Sequence, residues 1–187
     1  MPSPSHPSAE TSLPLSFAQE RLWYINEVMP GTPLYNVPKA WEIAGALDVE
    51  ALTRGVNEIV ARHDALRTTF RLVDGRPAQV VAPPGPAEMH VVDLTSRPEQ
   101  ERADALAACI AEMANAPFDL ETGPLFRTSV IRTAPELHIL LIVVHHTVFD
   151  GGSLRRFSDE LYALYGAFVS GNPSPLPPLS MQYADYA

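Results

Sequence analysis

Apolar and polar positions repeat with two periods along the chain, and each change of period marks an element. Ala18, Leu22, Ile25 and Met29 recur at helical spacing. Ser16 precedes them and Gln19 follows three residues on, the pattern of a capping box. Pro30 and Gly31 end this helix. Residues 36–43 predict a strand. Asp48 is placed to cap a second helix in which Val49, Leu52, Val56, Ile59 and Val60 share a face. Residues 66–73 and 78–82 predict two strands joined at Asp74-Gly75, a strong hairpin signal. Ala103, Leu106, Ala107, Ile110 and Met113 define the inner face of a third helix within 98–114. Residues 125–132 and 137–146 predict strands. Leu154, Phe157, Leu161, Leu164, Tyr165 and Phe168 define a fourth helix over 153–169. Strands alternating with helices predict an α/β fold, a two-layer sandwich of a mixed β-sheet with packed helices.

Proline placement sets the boundaries. The chain holds 19 prolines, about twice the usual share. Residues 1–12 are Pro/Ser-rich and predict a flexible tail. The stretch GNPSPLPPL, 171–179, cannot continue a helix and predicts an extended linker running into 180–187. Residues 13–170 form the body between them.

Composition then removes whole classes of function. The 187 residues are 46% hydrophobic and 19% charged, enough for one sizeable core. A net charge of −9 argues against nucleic acid, whose phosphates require a basic face. No apolar run approaches the roughly 20 residues of a membrane helix. The N-terminus has neither the basic nor the apolar region of a signal peptide, so the expected location is cytoplasmic. The single cysteine, Cys109, excludes an internal disulfide framework and a cysteine-based zinc site, and no metal is expected.

The segment that carries chemistry is HHTVFDG, residues 145–151, at the junction of an apolar strand and the following helix. Such junctions present a short loop and a helix N-terminus on a rigid scaffold. Adjacent strand residues point to opposite faces. One histidine of the pair can face a given cleft, and the other must be buried with a hydrogen-bond partner. Asp150 has two roles open to it: orienting an imidazole, or pinning the loop through an arginine. Gly151 and Gly152 suit either a tight turn or backbone N–H groups open to an oxyanion. No serine stands in a nucleophile-elbow pattern.

Four segments in order resemble the condensation domain of nonribosomal peptide synthetases: LSFAQERLW (15–23), RHDALRTTF (62–70), HHTVFDG (145–151) and MQYADYA (181–187). The resemblance implies a chloramphenicol acetyltransferase-like fold of two similar lobes with a tunnel between them. This chain is similar to the N-terminal lobe, and the last segment resembles the start of the connection to the second. The implied activity joins an acyl or peptidyl thioester donor to the amine of an aminoacyl acceptor, so the lobe alone is expected to be silent. No cofactor is expected on this lobe; the phosphopantetheine arms belong to donor and acceptor peptidyl carrier domains. The C-terminal lobe and an adjacent adenylation domain are the other implied partners.

By the same resemblance His146 is the histidine at the reaction centre, and His145 is mainly structural. Gly151 presents its N–H near the donor carbonyl. Asp150 holds the loop through an arginine, with Arg62 and Arg67 as candidates and Arg21 as an outsider. Two positions depart from the family pattern: Gly152 stands where tryptophan is frequent, and Phe149 where small residues are frequent. Cyclising relatives carry two aspartates in place of the histidines, and epimerising relatives usually carry tryptophan where Leu154 stands. A docking lobe without catalysis and a free-standing acyltransferase of the same fold are the alternatives.

Overall fold

The computed structural model describes residues 12–187. The tail expected over 1–12 lies outside the described residues except for Ser12. That residue opens strand β1 (Ser12–Pro14). Helix α1 (Phe17–Val28), strand β2 (Asn36–Ala44), helix α2 (Val49–Arg62), strands β3 (Thr68–Val73), β4 (Arg76–Val81) and β5 (Met89–Asp93), helix α3 (Glu99–Asn115), strands β6 (Phe126–Ala134) and β7 (Leu137–His145), and helix α4 (Gly151–Val169) follow. Short 3-10 turns occupy Asp64–Arg67 and Tyr183–Asp185.

The strands form a four-stranded sheet in the order β2-β7-β6-β5 and a smaller one in the order β1-β4-β3. Only the β5–β6 pairing is parallel. The architecture is thus the expected α/β sandwich, with a second, antiparallel sheet that the sequence pattern did not separate. β7 lies inside the large sheet between β2 and β6. Its residues Leu140 to Val144 are at most 2% exposed, which explains an unbroken apolar run instead of an alternating one.

Adjacent residues of β6 show what covers each face. Phe126 packs against Phe157 of α4, whereas Arg127 turns to the other side and bonds the carbonyls of Ala116 and Pro117 just past α3. α4 therefore sits on one face and α3 on the other. α2 packs beside α4, and Gly55 permits the close approach: a Cβ there would lie 3.1 Å from Leu161 Cδ1. Asp74 and Gly75 both adopt positive φ, the conformation of a type I′ hairpin turn, as the Asp-Gly signal required.

Several sequence expectations need correction. Leu66 is buried in the 3-10 turn before β3, not in the strand itself. β7 ends at His145, one residue early, and α4 begins at Gly151, two residues early. On α3 the inward residues are Ala105, Leu106, Cys109, Ile110 and Met113, while Ala103 and Ala107 are exposed. Alanine contributes little apolar area, so it marks a helix face poorly. On α1 the buried pair is Gln19 and Trp23, and Ala18 and Met29 are exposed. Gln19 is buried because its side chain serves twice: it bonds Gln79 and completes the capping box with Ser16.

Candidate active site

The loop between β7 and α4 is built by two anchoring steps. The backbone N–H of His145 bonds the Leu125 carbonyl at 3.0 Å, continuing the β6 ladder. The N–H of His146 bonds the Tyr35 carbonyl at 2.9 Å on the other side, continuing the β2 register in which Asn36 opposes His145, so strand alternation still holds across the pair. The two imidazoles consequently separate. His145 is buried, with Phe118 and Tyr35 edge-on to its ring. Its Nδ1 accepts from the Thr147 backbone N–H at 3.3 Å and lies 2.8 Å from the Thr147 hydroxyl. The partner demanded by burial is therefore local. His146 is exposed and lines a cleft of about 530 Å³.

The ring of His146 has a defined tautomer when neutral. Nδ1 lies 2.8 Å from the Phe149 carbonyl oxygen, which can only accept. Nδ1 therefore carries the proton, and Nε2 is left with its lone pair. Phe149 supplies this carbonyl from a fixed position, since its own ring is 4% exposed and packs on Phe157. The bulky residue that departs from the family pattern is thus a core anchor that also borders the cleft. Gly152 is exposed, and a Cβ there would only touch an Asp150 carboxylate oxygen, at 3.4 Å.

Burial, and secondarily the neighbouring His146, holds the His145 pKa down to about 4 from an ordinary 6.5. The unfolded chain then takes up a proton that the folded chain refuses. The stability this neutral imidazole provides is complete above pH 6.5 and declines as the pH falls towards 4. The expected loss across that window is about 3 kcal/mol, at 1.36 kcal/mol per pKa unit. Urea unfolding at pH 7.5 and at pH 4.5 measures it; equal midpoints would show that His145 is not buried neutral.

Asp150 is the N-cap of α4. Its carboxylate accepts from the Ser153 N–H at 2.8 Å and the Ser153 hydroxyl at 2.7 Å, and Ser153 in return accepts from the Asp150 N–H. The Ser153 backbone and side-chain bonds hold its pKa below the usual carboxylate range, aided by the Gly152 N–H and by His146. The arginine expectation is corrected here. Arg62 is bound to buried Glu160, Nε to Oε1 at 3.4 Å, and Arg67 pairs with Asp64 and bonds the Ala82 carbonyl. Both arginines fix the end of α2, so the sequence motif that contains them is a structural clamp on this side. Asp150→Ala is expected to cost about 1 kcal/mol, the usual loss of a helix cap, with Asp150→Ser losing less. Thermal unfolding of the two variants measures the difference.

Gly151 is the first residue of α4 and is exposed; a Cβ there would touch nothing within 4 Å. Its N–H belongs to the first turn, which has no intrahelical acceptor. It does not line the cleft, which Asp150 and Ser153 do.

The four segments read from sequence meet on this one cleft. Ala18, Gln19, Arg21 and Leu22 come from the first, His63, Ala65 and Leu66 from the second, residues 146–150 from the third, and Tyr183 from the last. Tertiary bonds hold them together. Tyr183 and Ser16 hydroxyls are 2.8 Å apart. Gln182 bonds both the Arg62 carbonyl and the Asp64 N–H. His63 Nε2 lies 2.7 Å from a Glu160 carboxylate oxygen. Sequence reasoning did not find Glu160, Tyr35 or Arg156 as residues around this cleft. Tyr35 acts through its carbonyl, which no side-chain pattern announces.

A helix-covered mixed sheet that ends in an HHxxxDG loop at a cleft defines the chloramphenicol acetyltransferase-like class. The chain belongs to the condensation-domain family: the Condensation domain model matches residues 9–187. It is 43% identical over 175 residues to chondramide synthase cmdD of Chondromyces crocatus, covering 94% of this chain and 4% of that protein. It is 38% identical to phosphinothricin tripeptide synthetase PhsC of Streptomyces viridochromogenes, covering 98% and 17%. The X-domain from teicoplanin biosynthesis matches with a TM-score of 0.82 at 28% identity, over 99% of this chain and 39% of that one. The starter condensation domain of rhizomide synthetase RzmA has the same fold, with a TM-score of 0.82 at 24% identity over 89% and 40%. The chain thus spans about two fifths of the solved chains and a small part of the synthetases. Among the described residues no helix is long and apolar enough to cross a membrane.

Proposed function

We propose that this chain supplies the histidine-bearing lobe of a domain that forms amide bonds between two carrier-bound thioesters in nonribosomal peptide synthesis. The observation that carries the proposal is the exposed imidazole of His146 on a cleft shared by four distant segments, with Nδ1 2.8 Å from the Phe149 carbonyl oxygen. The substrates ride on phosphopantetheine arms of donor and acceptor peptidyl carrier domains. The second lobe and an adjacent adenylation domain complete the machinery, in the cytoplasm.

The acceptor is an α-amine with an ordinary pKa near 7.7–8.0, so roughly a quarter to a third is neutral at pH 7.5. A strong base is not required to create the nucleophile. The amine attacks the thioester carbonyl, a C–N bond forms, and the carbonyl oxygen takes negative charge. Nε2 of His146 orients the amine by accepting one of its protons in a hydrogen bond. It then takes the proton that the nitrogen must lose and delivers it to the departing thiolate as the C–S bond breaks. The resemblance assigns the oxyanion to the Gly151 N–H, which the helix leaves unbonded but which lies outside the lining of the cleft. Asp150 acts on the helix start and through it on the loop.

Intact His145, His146 and Asp150 favour catalysis over a docking role alone. The test is a condensation assay: a full-length domain containing this lobe, with donor and acceptor carriers loaded, read by mass spectrometry of the acceptor carrier. Transfer of the acyl group to the acceptor amine is expected; acyl thioester left on the donor carrier throughout would overturn the proposal.

A further inference from the structure

The turn that carries His146 closes on the residue before it. The N–H of Val148 bonds the His145 carbonyl at 3.1 Å, and the Thr147 N–H reaches Nδ1 of the His145 ring at 3.3 Å. The Thr147 hydroxyl lies 2.8 Å from the same nitrogen. Both residues are buried, His145 at 3% and Thr147 at 5% exposure. The ring is a fixed post, because the Phe118 and Tyr35 rings meet it edge-on. Residues 147 and 148 are thus both tied to His145. Phe149, whose carbonyl oxygen lies 2.8 Å from His146 Nδ1, follows directly.

These contacts fix the position of the His145 proton. A backbone N–H can only donate, so Nδ1 must offer it a lone pair. The proton of the neutral ring is then on Nε2, the reverse of His146. The Thr147 hydroxyl is free to rotate and donates to the same lone pair, giving it the shorter of its two contacts. The neighbouring strand agrees. Asn36 stands in register with His145, and the adjacent position, His146 N–H to Tyr35 carbonyl, is the hydrogen-bonded one. Asn36 and His145 are therefore a non-hydrogen-bonded pair, with side chains close together on one face. The Asn36 amide nitrogen bonds the Ala114 and Ala116 carbonyls, while its Oδ1 is buried with no hydrogen-bond partner. An acceptor in need of a donor thus stands across from a ring that carries its proton on Nε2.

The pattern HHxxxDG leaves residue 147 open, so the hydroxyl is a property of this chain. An aliphatic residue of the same shape would fill the space and leave Nδ1 with the longer bond alone. Building on the proposed condensation activity, we infer that Thr147 is a positioning residue for it: its hydroxyl, acting through the buried His145 ring, holds the turn that sets the Phe149 carbonyl against His146. Thr147 borders the cleft, but its hydroxyl is committed to His145, so it acts through the turn. Without the hydroxyl the turn loosens, and His146 divides its proton between Nδ1 and Nε2. The fraction protonated on Nε2 has no lone pair there to offer the amine.

The experiment uses a full-length domain containing this lobe, with isotope-labelled histidines, at a pH where the rings are neutral. The ring-nitrogen resonances of His145 and His146 are assigned by their loss in the alanine variant of each. Thr147→Val keeps the shape and removes the hydroxyl, and Thr147→Ser keeps the hydroxyl. In the unsubstituted domain His145 is expected to carry its proton on Nε2 and His146 on Nδ1. In Thr147→Val an Nε2-protonated form of His146 is expected to appear. Its kcat for amide formation should fall about tenfold, with the KM of the acceptor thioester within about twofold. Thr147→Ser should restore most of the rate and the single His146 form. A His145 ring protonated on Nδ1 in the unsubstituted domain, which depends on no variant folding, would overturn the inference. So would an unaltered rate in Thr147→Val, a loss that Thr147→Ser shares, or a loss with the His146 proton unmoved. Failure of the unsubstituted domain to form amide overturns the condensation reading instead. The ring resonances need no turnover and still decide whether Thr147 sets the proton of His146.

Discussion

His146→Ala in a full-length domain containing this lobe is expected to lower the rate of amide formation by about 100-fold or more, the lower end of what a positioned base contributes. The expectation rests on geometry. The neutral ring offers one lone pair, on Nε2, because the Phe149 carbonyl fixes the proton on Nδ1. The adjacent histidine cannot replace it. His145 is buried, its Nδ1 is engaged by Thr147, and its pKa of about 4 reflects a ring held away from solvent. Single-turnover mixing of loaded carriers, with the acyl transfer read by mass spectrometry, separates the chemical step from carrier exchange. The pH dependence then divides the two contributions of the ring. A loss that shrinks as the pH rises past the amine's ordinary pKa assigns most of the effect to proton acceptance. A loss independent of pH assigns it to orientation. An unchanged rate in His146→Ala would remove this imidazole from the reaction altogether.

The contrast between the two histidines is legible in the sequence because strand alternation forbids both from entering one cleft. β7 ends at His145, and the N–H of His146 still bonds the Tyr35 carbonyl, the next position of the β2 register, so alternation carries through the pair. The start of α4 is less legible. Asp150, Gly151 and Gly152 resemble a turn by composition, yet Asp150 with Ser153 forms a reciprocal cap that carries the helix back to Gly151.

Long, strongly patterned elements are the readable ones. In α2 the residues Leu52, Val56, Ile59 and Val60 are all buried as their spacing required. The failures lie where pattern is weak. β5, MHVVD, is an edge strand of the large sheet with three of its five residues exposed, so its sequence shows no clean alternation. β1 has three residues and is defined by its pairing with β4, a contact some 65 residues away in sequence. The arginine assignment fails because Glu160, the partner of Arg62, is a single acid on an otherwise ordinary helix. Its spacing from Phe157 and Leu164 sets it near the buried face, unlike the exposed Asp159 beside it, but no local pattern names Arg62 as its partner. Long-range pairing of charges is set by helix docking, and docking is not written in a local pattern.

That docking yields the second large expected effect, on stability. Phe157→Ala should destabilise the lobe by about 3–5 kcal/mol, the usual result of removing a buried aromatic ring and leaving a cavity. Phe157 is 2% exposed and sits among three other rings: Trp41 of β2 stacks on it at 6.1 Å, Phe126 of β6 lies at 6.0 Å, and Phe149 of the loop meets it edge-on at 6.4 Å. These contacts join α4, two strands of the large sheet and the histidine-bearing loop. Aromatic pairs contribute beyond their buried area. The consequence extends past stability. Phe149 holds its carbonyl against His146 Nδ1 because its ring is fixed on Phe157, so loss of that ring frees the loop that defines the tautomer. Phe157→Leu, which keeps most of the volume, should lose less stability and retain more activity. Denaturant unfolding of both variants, beside the condensation assay under conditions where each stays folded, tests the linkage. A loss below about 1 kcal/mol in Phe157→Ala would show that α4 is held by other contacts. Full activity in the folded alanine variant would show that the loop keeps its own geometry without the aromatic support beneath it.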